Sequence, residues 1–166
     1  MMPRKTVNQQ KPLVKAGLAV IPVILTLVLG QWATLPNIEG WYAGLAKPAF
    51  NPPNWIFGPV WTFLYASMSF AVWRIWILPG DQPQKSAALI CFYLQLALNA
   101  AWSWAFFALH SPLLGLINIV PQWILILLTI LKFRLLDRIA AYILAPLAVW
   151  VAFAIALNFE IWRLNP

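Results

Sequence analysis

Three sets of residues in this chain have the type and spacing to hydrogen-bond between helices or to wall a small-molecule site. Trp61, Tyr65 and Met68 stand at i, i+4 and i+7, and Gln95, Asn99 and Trp102 repeat that spacing. Trp150, Ala154 and Asn158 follow at successive intervals of four. On an α-helix such intervals place each set along one face. Uncharged amides are costly in apolar surroundings unless paired, so Gln95, Asn99 and Asn158 belong on the inside of a bundle. Two readings of the stripes stay open. The amides hydrogen-bond between helices, or the stripes together wall a cavity with aromatic faces and a few polar handles, which is the usual build of a small-molecule site.

The other reactive side chains give little chemistry. His110 lies in the tight turn His110-Ser111-Pro112 with no second histidine or cysteine beside it, so it reads as a solvated turn residue rather than a metal or haem ligand. Cys91, the single cysteine, excludes an intramolecular disulfide and reads as a small buried hydrophobe. Arg74 is placed to extend its charge toward lipid headgroups from the end of an apolar run. Glu160 and Arg163, at i and i+3, suit a surface ion pair. No carboxylate pair, phosphate-binding loop or Ser-His-Asp set appears, and no cofactor motif. Proton-coupled transport normally uses an intramembrane acid or histidine; here every acid falls at the border of an apolar run.

The elements that must carry these residues are membrane spans. The chain has 166 residues, 63% hydrophobic and 9% charged, against about 25% charged in ordinary soluble domains. No charge lies between Lys15 and Glu39, Lys47 and Arg74, Lys85 and Lys132, or Arg138 and Glu160. A spanning helix needs about 20 apolar residues, so three of these gaps hold one span each. The gap from Lys85 to Lys132 must hold two, divided at Pro112. The apolar runs are continuous rather than alternating, which favours helices over a barrel. The expected fold is therefore all-α, a polytopic membrane protein with a bundle of five transmembrane helices at about 14–34, 55–79, 87–109, 113–133 and 139–161. Pro22, Pro121 and Pro146 fall inside spans and are expected to kink them. Residues 1–15 form a basic arm ahead of a single domain, 16–166.

Basic residues set the orientation. Arg4, Lys5, Lys11, Lys15, Arg74, Lys85, Lys132, Arg134 and Arg138 fall on the N-terminal side, and only Lys47 and Arg163 on the other. The N-terminus is thus expected in the cytoplasm and the C-terminus outside, in a bacterial inner membrane. The net charge of +7 comes from the edges of apolar runs and forms no nucleic-acid patch. The segment at about 35–54, LPNIEGWYAGLAKPAFNPPN, is the longest connection. Its prolines and its residues Trp41, Tyr42 and Phe50, with Trp55 following, suit either a packed lid or an interfacial aromatic belt.

Three segments carry a family resemblance: WYAGLAKPAFNPPNWIFGPVWTFLYASM (Trp41 to Met68), LQLALNAAWSWAFF (Leu94 to Phe107) and PLAVWVAFAIALNFEIWRLN (Pro146 to Asn165). They closely resemble the TspO/MBR family, the translocator proteins also called tryptophan-rich sensory proteins or peripheral-type benzodiazepine receptors. The resemblance runs from about residue 16 to the end. It implies a five-helix protein in the lipid bilayer, usually a homodimer, with a ligand pocket beneath the first loop. It also implies binding of porphyrins such as protoporphyrin IX and, in some members, of sterols and benzodiazepine-type drugs. Matched by position, Tyr42 and Pro52 would line the pocket from the lid, and Trp61 and Tyr65 from the second helix. Asn99 and Trp102 would line it from the third helix, beside the stripe residue Gln95, and Trp150 and Ala154 from the fifth. Trp61 and Trp150 resemble the pair implicated in light-dependent porphyrin breakdown in some bacterial relatives.

The chain departs from the family pattern in two places. Leu147 follows Pro146 where tyrosine is frequent. Phe159 stands ahead of Arg163 where the sterol motif of animal members has tyrosine, and such motifs are weak even when intact. The expected function is a membrane receptor or carrier for porphyrin-like tetrapyrroles, linked to stress or to tetrapyrrole regulation. The alternatives are a light-dependent porphyrin-degrading enzyme and a sterol- or lipid-binding or structural membrane protein.

Overall fold

The computed structural model describes residues 12–80 and 83–166; the basic residues Arg4, Lys5 and Lys11 of the expected arm lie outside that range. Five helices are long and apolar enough to cross a membrane, and the chain is an integral multi-pass membrane protein. Helix α1 (Pro12–Asn37) runs directly into a π-helical turn, Ile38–Tyr42; α2 spans Asn54–Ile77. Helix α3 (Pro83–Ser103) also ends in a π-helical turn, Trp104–Ala108, before α4 (Pro112–Leu136). The last span is made of α5 (Arg138–Ile143) and α6 (Ala145–Leu164). Helix α4 packs against α3, α5 and α6, while α1 lies on α2 and α3.

The first span is longer than expected. Rather than ending near residue 34, it continues to Tyr42, so the connection shrinks to a short segment ahead of Asn54. Pro36 inside a helix costs about 3 kcal/mol, yet aromatic packing outweighs it. Tyr42 is buried, and Trp41 meets Phe106 and Phe107 edge-on at centroid distances of 5.4 and 6.4 Å. The two π-helical turns face each other through these rings.

The prolines are accommodated by neighbours. Pro22 has no N–H to give the Leu18 carbonyl. The Tyr93 hydroxyl on α3 donates to that oxygen at 2.9 Å and accepts from the Trp76 indole of α2 at 2.8 Å. One phenol thereby joins three helices and covers the carbonyl that the proline exposes. Pro146 divides the last span at Leu144, where the backbone bonds tighten from Leu144 to Ala141 and from Leu147 to Leu144.

Arg74 differs from expectation. It does not reach for headgroups but is held by Asp137, with Nε and one terminal nitrogen each 2.8 Å from Oδ2. Asp137 also caps α5, accepting from the Ile139 and Ala140 N–H groups. One carboxylate therefore fixes the corner between α4 and α5 and ties it to α2. Burial pushes the Asp137 carboxyl up, but the hydrogen bond and charge of Arg74 and the two backbone N–H groups outweigh this and hold it below the usual carboxylate value. Lys85 donates to the carbonyls of Trp76 and Leu78, closing the C-terminus of α2. Glu160 and Arg163 form the expected pair at 2.7 Å. Cys91 is half-buried rather than fully enclosed.

Candidate ligand cavity

The stripes converge where α2, α3, α4 and α6 meet the end of α1. Between them lies a cavity of about 330 Å³, at the small end of ligand pockets, which run to roughly 300–1,000 Å³. Tyr42, Trp61, Tyr65, Asn99, Trp102, Trp150 and Ala154 all line it. Two other sequence candidates do not. Pro52 stays in the first loop, where its carbonyl accepts from the Asn51 amide. Gln95 is buried one helical turn from Asn99, with Nε2 3.7 Å from Met68 Sδ and no hydrogen-bond partner for Oε1. The residues of the degenerate sterol motif also lie outside the lining. Phe159 is exposed beside Trp162, and Arg163 is held by Glu160.

Both readings of the amides apply together. Tyr65 donates its hydroxyl to Asn99 Oδ1 at 2.7 Å, linking α2 to α3. Trp102 donates its indole N–H to Asn158 Oδ1 at 3.0 Å, and Asn158 Nδ2 donates to the Pro112 carbonyl at 2.7 Å. These amides are interhelical bonds and cavity wall at once. They set the rings of Tyr65 and Trp102 in place as fixed surfaces of the cavity wall. Close packing shapes the wall too. A Cβ on Gly115 would come within 2.8 Å of Asn158 Oδ1 and 3.0 Å of the Phe106 ring, so α4 reaches this point only with glycine.

Sequence reasoning missed part of the lining. Phe106 and Phe107 enter it from the second π-helical turn, whose five-residue step breaks the i, i+4 pattern that exposed the other stripes. Gln122 on α4 was also missed, although it is an amide inside an apolar span, as Gln95 and Asn99 are. Gln122 lines the cavity, is 2% exposed and has no hydrogen-bond partner among the described residues. The indole N–H groups of Trp61 and Trp150 are likewise uncommitted within the described chain, while their rings pack on Tyr65 and on Phe57 and Phe153. No charged side chain is among the lining residues.

The roof is latched. Ala46 N–H donates to Asn165 Oδ1 at 3.0 Å, and Asn165 Nδ2 returns a bond to the Ala46 carbonyl at 2.9 Å, joining the first loop to the end of α6. Phe50 meets Phe153 edge-on below this pair. Lys47 lies 4.6 Å above the Tyr42 ring, its ammonium on the Ala43 and Leu45 carbonyls. His110, exposed and at φ +51°, stacks on Trp41 and bonds Asn37 Oδ1 at 2.8 Å. It is the exposed turn residue the sequence suggested, with these two contacts besides. Trp55 is 73% exposed, while Tyr42 is buried at the end of the first span. Among the described residues no group of His, Cys, Asp and Glu could hold a metal ion.

Residues 18–163 match the model of the TspO/MBR family. The tryptophan-rich protein TspO of Chlorobaculum tepidum is 42% identical over 132 residues, 79% of this chain and 84% of the relative. The tryptophan-rich protein TspO of Archaeoglobus fulgidus is 37% identical over 153 residues, 92% of this chain and 98% of its own length. The translocator protein of Homo sapiens is 35% identical over 126 residues, 75% of each chain.

Proposed function

This chain belongs to the TspO/MBR family, and we propose that it is a membrane receptor or carrier that binds a flat tetrapyrrole such as protoporphyrin IX in the cavity beneath its latched first loop. The observation that carries this reading is the lining: aromatic faces on several sides, two uncommitted indole N–H groups and one buried uncommitted amide, Gln122, with no charge. A macrocycle stacks on Trp and Tyr faces and gains from their area and quadrupole. Its carboxylates would stay at the rim, on the side of Lys47, since ionised groups in the uncharged interior would go unpaired. The same rim faces the non-cytoplasmic side in the orientation that the basic residues favour, in a bacterial inner membrane, and a homodimer is the expected assembly.

One observation favours a second reading. Trp61 and Trp150 line the same cavity, so a photo-excited porphyrin there would have two oxidisable indoles beside it. Light-dependent porphyrin breakdown is therefore the enzymatic alternative. Titration of the purified protein with protoporphyrin IX, followed by fluorescence in the dark and under illumination, tests both. Saturable binding with an unchanged absorption spectrum supports the receptor. New absorbing products that require light and protein support the enzyme, and absence of saturation overturns both.

A further inference from the structure

At the end of the bundle away from the cavity, α4 closes and α5 begins around an open groove of about 540 Å³, lined by Leu128, Leu131, Lys132, Arg134, Leu135 and Arg138. Its composition is divided. Leu128, Leu131 and Leu135 repeat along α4 and are 41%, 57% and 82% exposed. Lys132, Arg134 and Arg138 bring three cations to the same groove, and none has an ion-pair partner among the described residues. The neighbouring acid, Asp137, is not available to them. Its carboxylate is taken by Arg74 and by the N–H groups of Ile139 and Ala140. Asp137 adopts extended backbone, φ −153°, between the two helices, and its capping bonds fix Arg138 at the first position of α5. The corner thus holds Arg138 against the end of α4 while it engages the neighbouring counter-charge.

We propose that this groove binds an anionic phospholipid from the adjoining leaflet, its phosphate between Lys132, Arg134 and Arg138 and an acyl chain along Leu128, Leu131 and Leu135. The groove sits where an apolar span gives way to charge, the depth at which headgroup phosphates lie. Three unpaired cations match a phosphodiester bearing a second acidic or polar group better than a zwitterionic headgroup, whose own cation they would repel. An exposed leucine row that continues from the cations matches a lipid and has no role for a free anion. Each basic residue near an anionic surface contributes about a fivefold preference.

The test is native mass spectrometry of the full chain in detergent, titrated with phosphatidylglycerol and with phosphatidylcholine of the same acyl chains. The parent should bind the first phosphatidylglycerol more tightly than the first phosphatidylcholine. Arg134→Gln and Arg138→Gln, both at exposed side chains, should each lower phosphatidylglycerol affinity about fivefold and leave the melting temperature and phosphatidylcholine binding unchanged. Lys132→Gln added to them should abolish the preference. Lys15→Gln, at the same end of the bundle on α1, should leave it intact. Equal affinity of the parent for the two lipids overturns the proposal. So does a loss with Lys15→Gln as large as with Arg134→Gln, or full displacement of the lipid by millimolar inorganic phosphate.

Discussion

The Trp102 indole and the Asn158 amide form a hydrogen bond 3.0 Å long between α3 and α6, and the same amide holds the Pro112 carbonyl of α4. Asn158 is 2% exposed, while its partners Trp102 and Pro112 are half-buried. Asn158→Ala takes the partner from the Trp102 indole N–H and removes the bond to the Pro112 carbonyl. It should destabilise the protein by roughly 1–3 kcal/mol, measured by thermal unfolding in detergent, and release the Trp102 ring, seen as altered tryptophan fluorescence. A melting temperature equal to the parent's would mean that the bond contributes nothing net.

Gly115 supplies the complementary test of the same wall. An alanine Cβ there meets Asn158 Oδ1 at 2.8 Å and the Phe106 ring at 3.0 Å, whereas one at Gly40 meets nothing within 4 Å. Gly115→Ala should therefore cost about 1–3 kcal/mol through overpacking and weaken ligand binding by displacing Phe106. Gly40→Ala should change neither, and equal effects of the two would refute the close-packing explanation.

Which parts of this molecule could be read from sequence follows from the range of each rule. Trp61, Tyr65, Asn99 and Trp150 were legible because unbroken α-helix preserves the i, i+4 step on which the stripes depend. The span count was legible because charges cluster at borders. Phe106 escaped because a π-helical turn shifts the register locally. The end of the first span escaped because the charge of Glu39 bounds the apolar run, while the rings of Trp41 and Tyr42 find partners more than 60 residues away. Arg74 was assigned to the headgroups because its partner Asp137 is separated by 63 residues, beyond any local pattern. Gln95 failed in the opposite direction. It shares a face with Asn99, but one turn further along that face meets Met68 rather than the cavity.

The Arg74–Asp137 pair makes stability depend on acid. Because the folded state holds the Asp137 carboxyl below its ordinary value, the pair's contribution is complete above the ordinary range and is lost as pH falls through the lowered value. Melting temperatures of the parent and Asp137→Asn should differ at pH 7, by the equivalent of roughly 1 kcal/mol for a partly exposed pair. They should converge as pH falls below the ordinary carboxylate range and through the lowered value, where the folded carboxylate protonates. A difference that does not shrink on acidification would refute the pair's ionic contribution.

Asn165 controls access if the first loop is the lid. Its two bonds to Ala46 are exposed and join the loop to the end of α6. Asn165→Ala should cost little stability, about 0.5–1.5 kcal/mol, but raise both association and dissociation rates of protoporphyrin IX in stopped-flow fluorescence. Rates that do not change would place the entry route between helices rather than under the loop.

Trp61 and Trp150 decide between ligand site and scaffold. Both line the cavity from different helices, while Trp32 on α1 is 71% exposed and outside the lining. Replacement by Phe keeps an aromatic face but removes area and the indole N–H. If the two indoles stack on a porphyrin, Trp61→Phe and Trp150→Phe should each lower its affinity by roughly 0.5–1.5 kcal/mol, and Trp32→Phe should not. Any light-driven breakdown should fall much further in the two cavity variants, because a phenyl ring is far harder to oxidise than an indole. A scaffold role predicts a different pattern, with lowered melting temperature in detergent and no selective loss of ligand. Measuring melting temperature and protoporphyrin affinity on the same three preparations separates these outcomes. If all three bind porphyrin as the parent does, the tetrapyrrole is not held between these indoles.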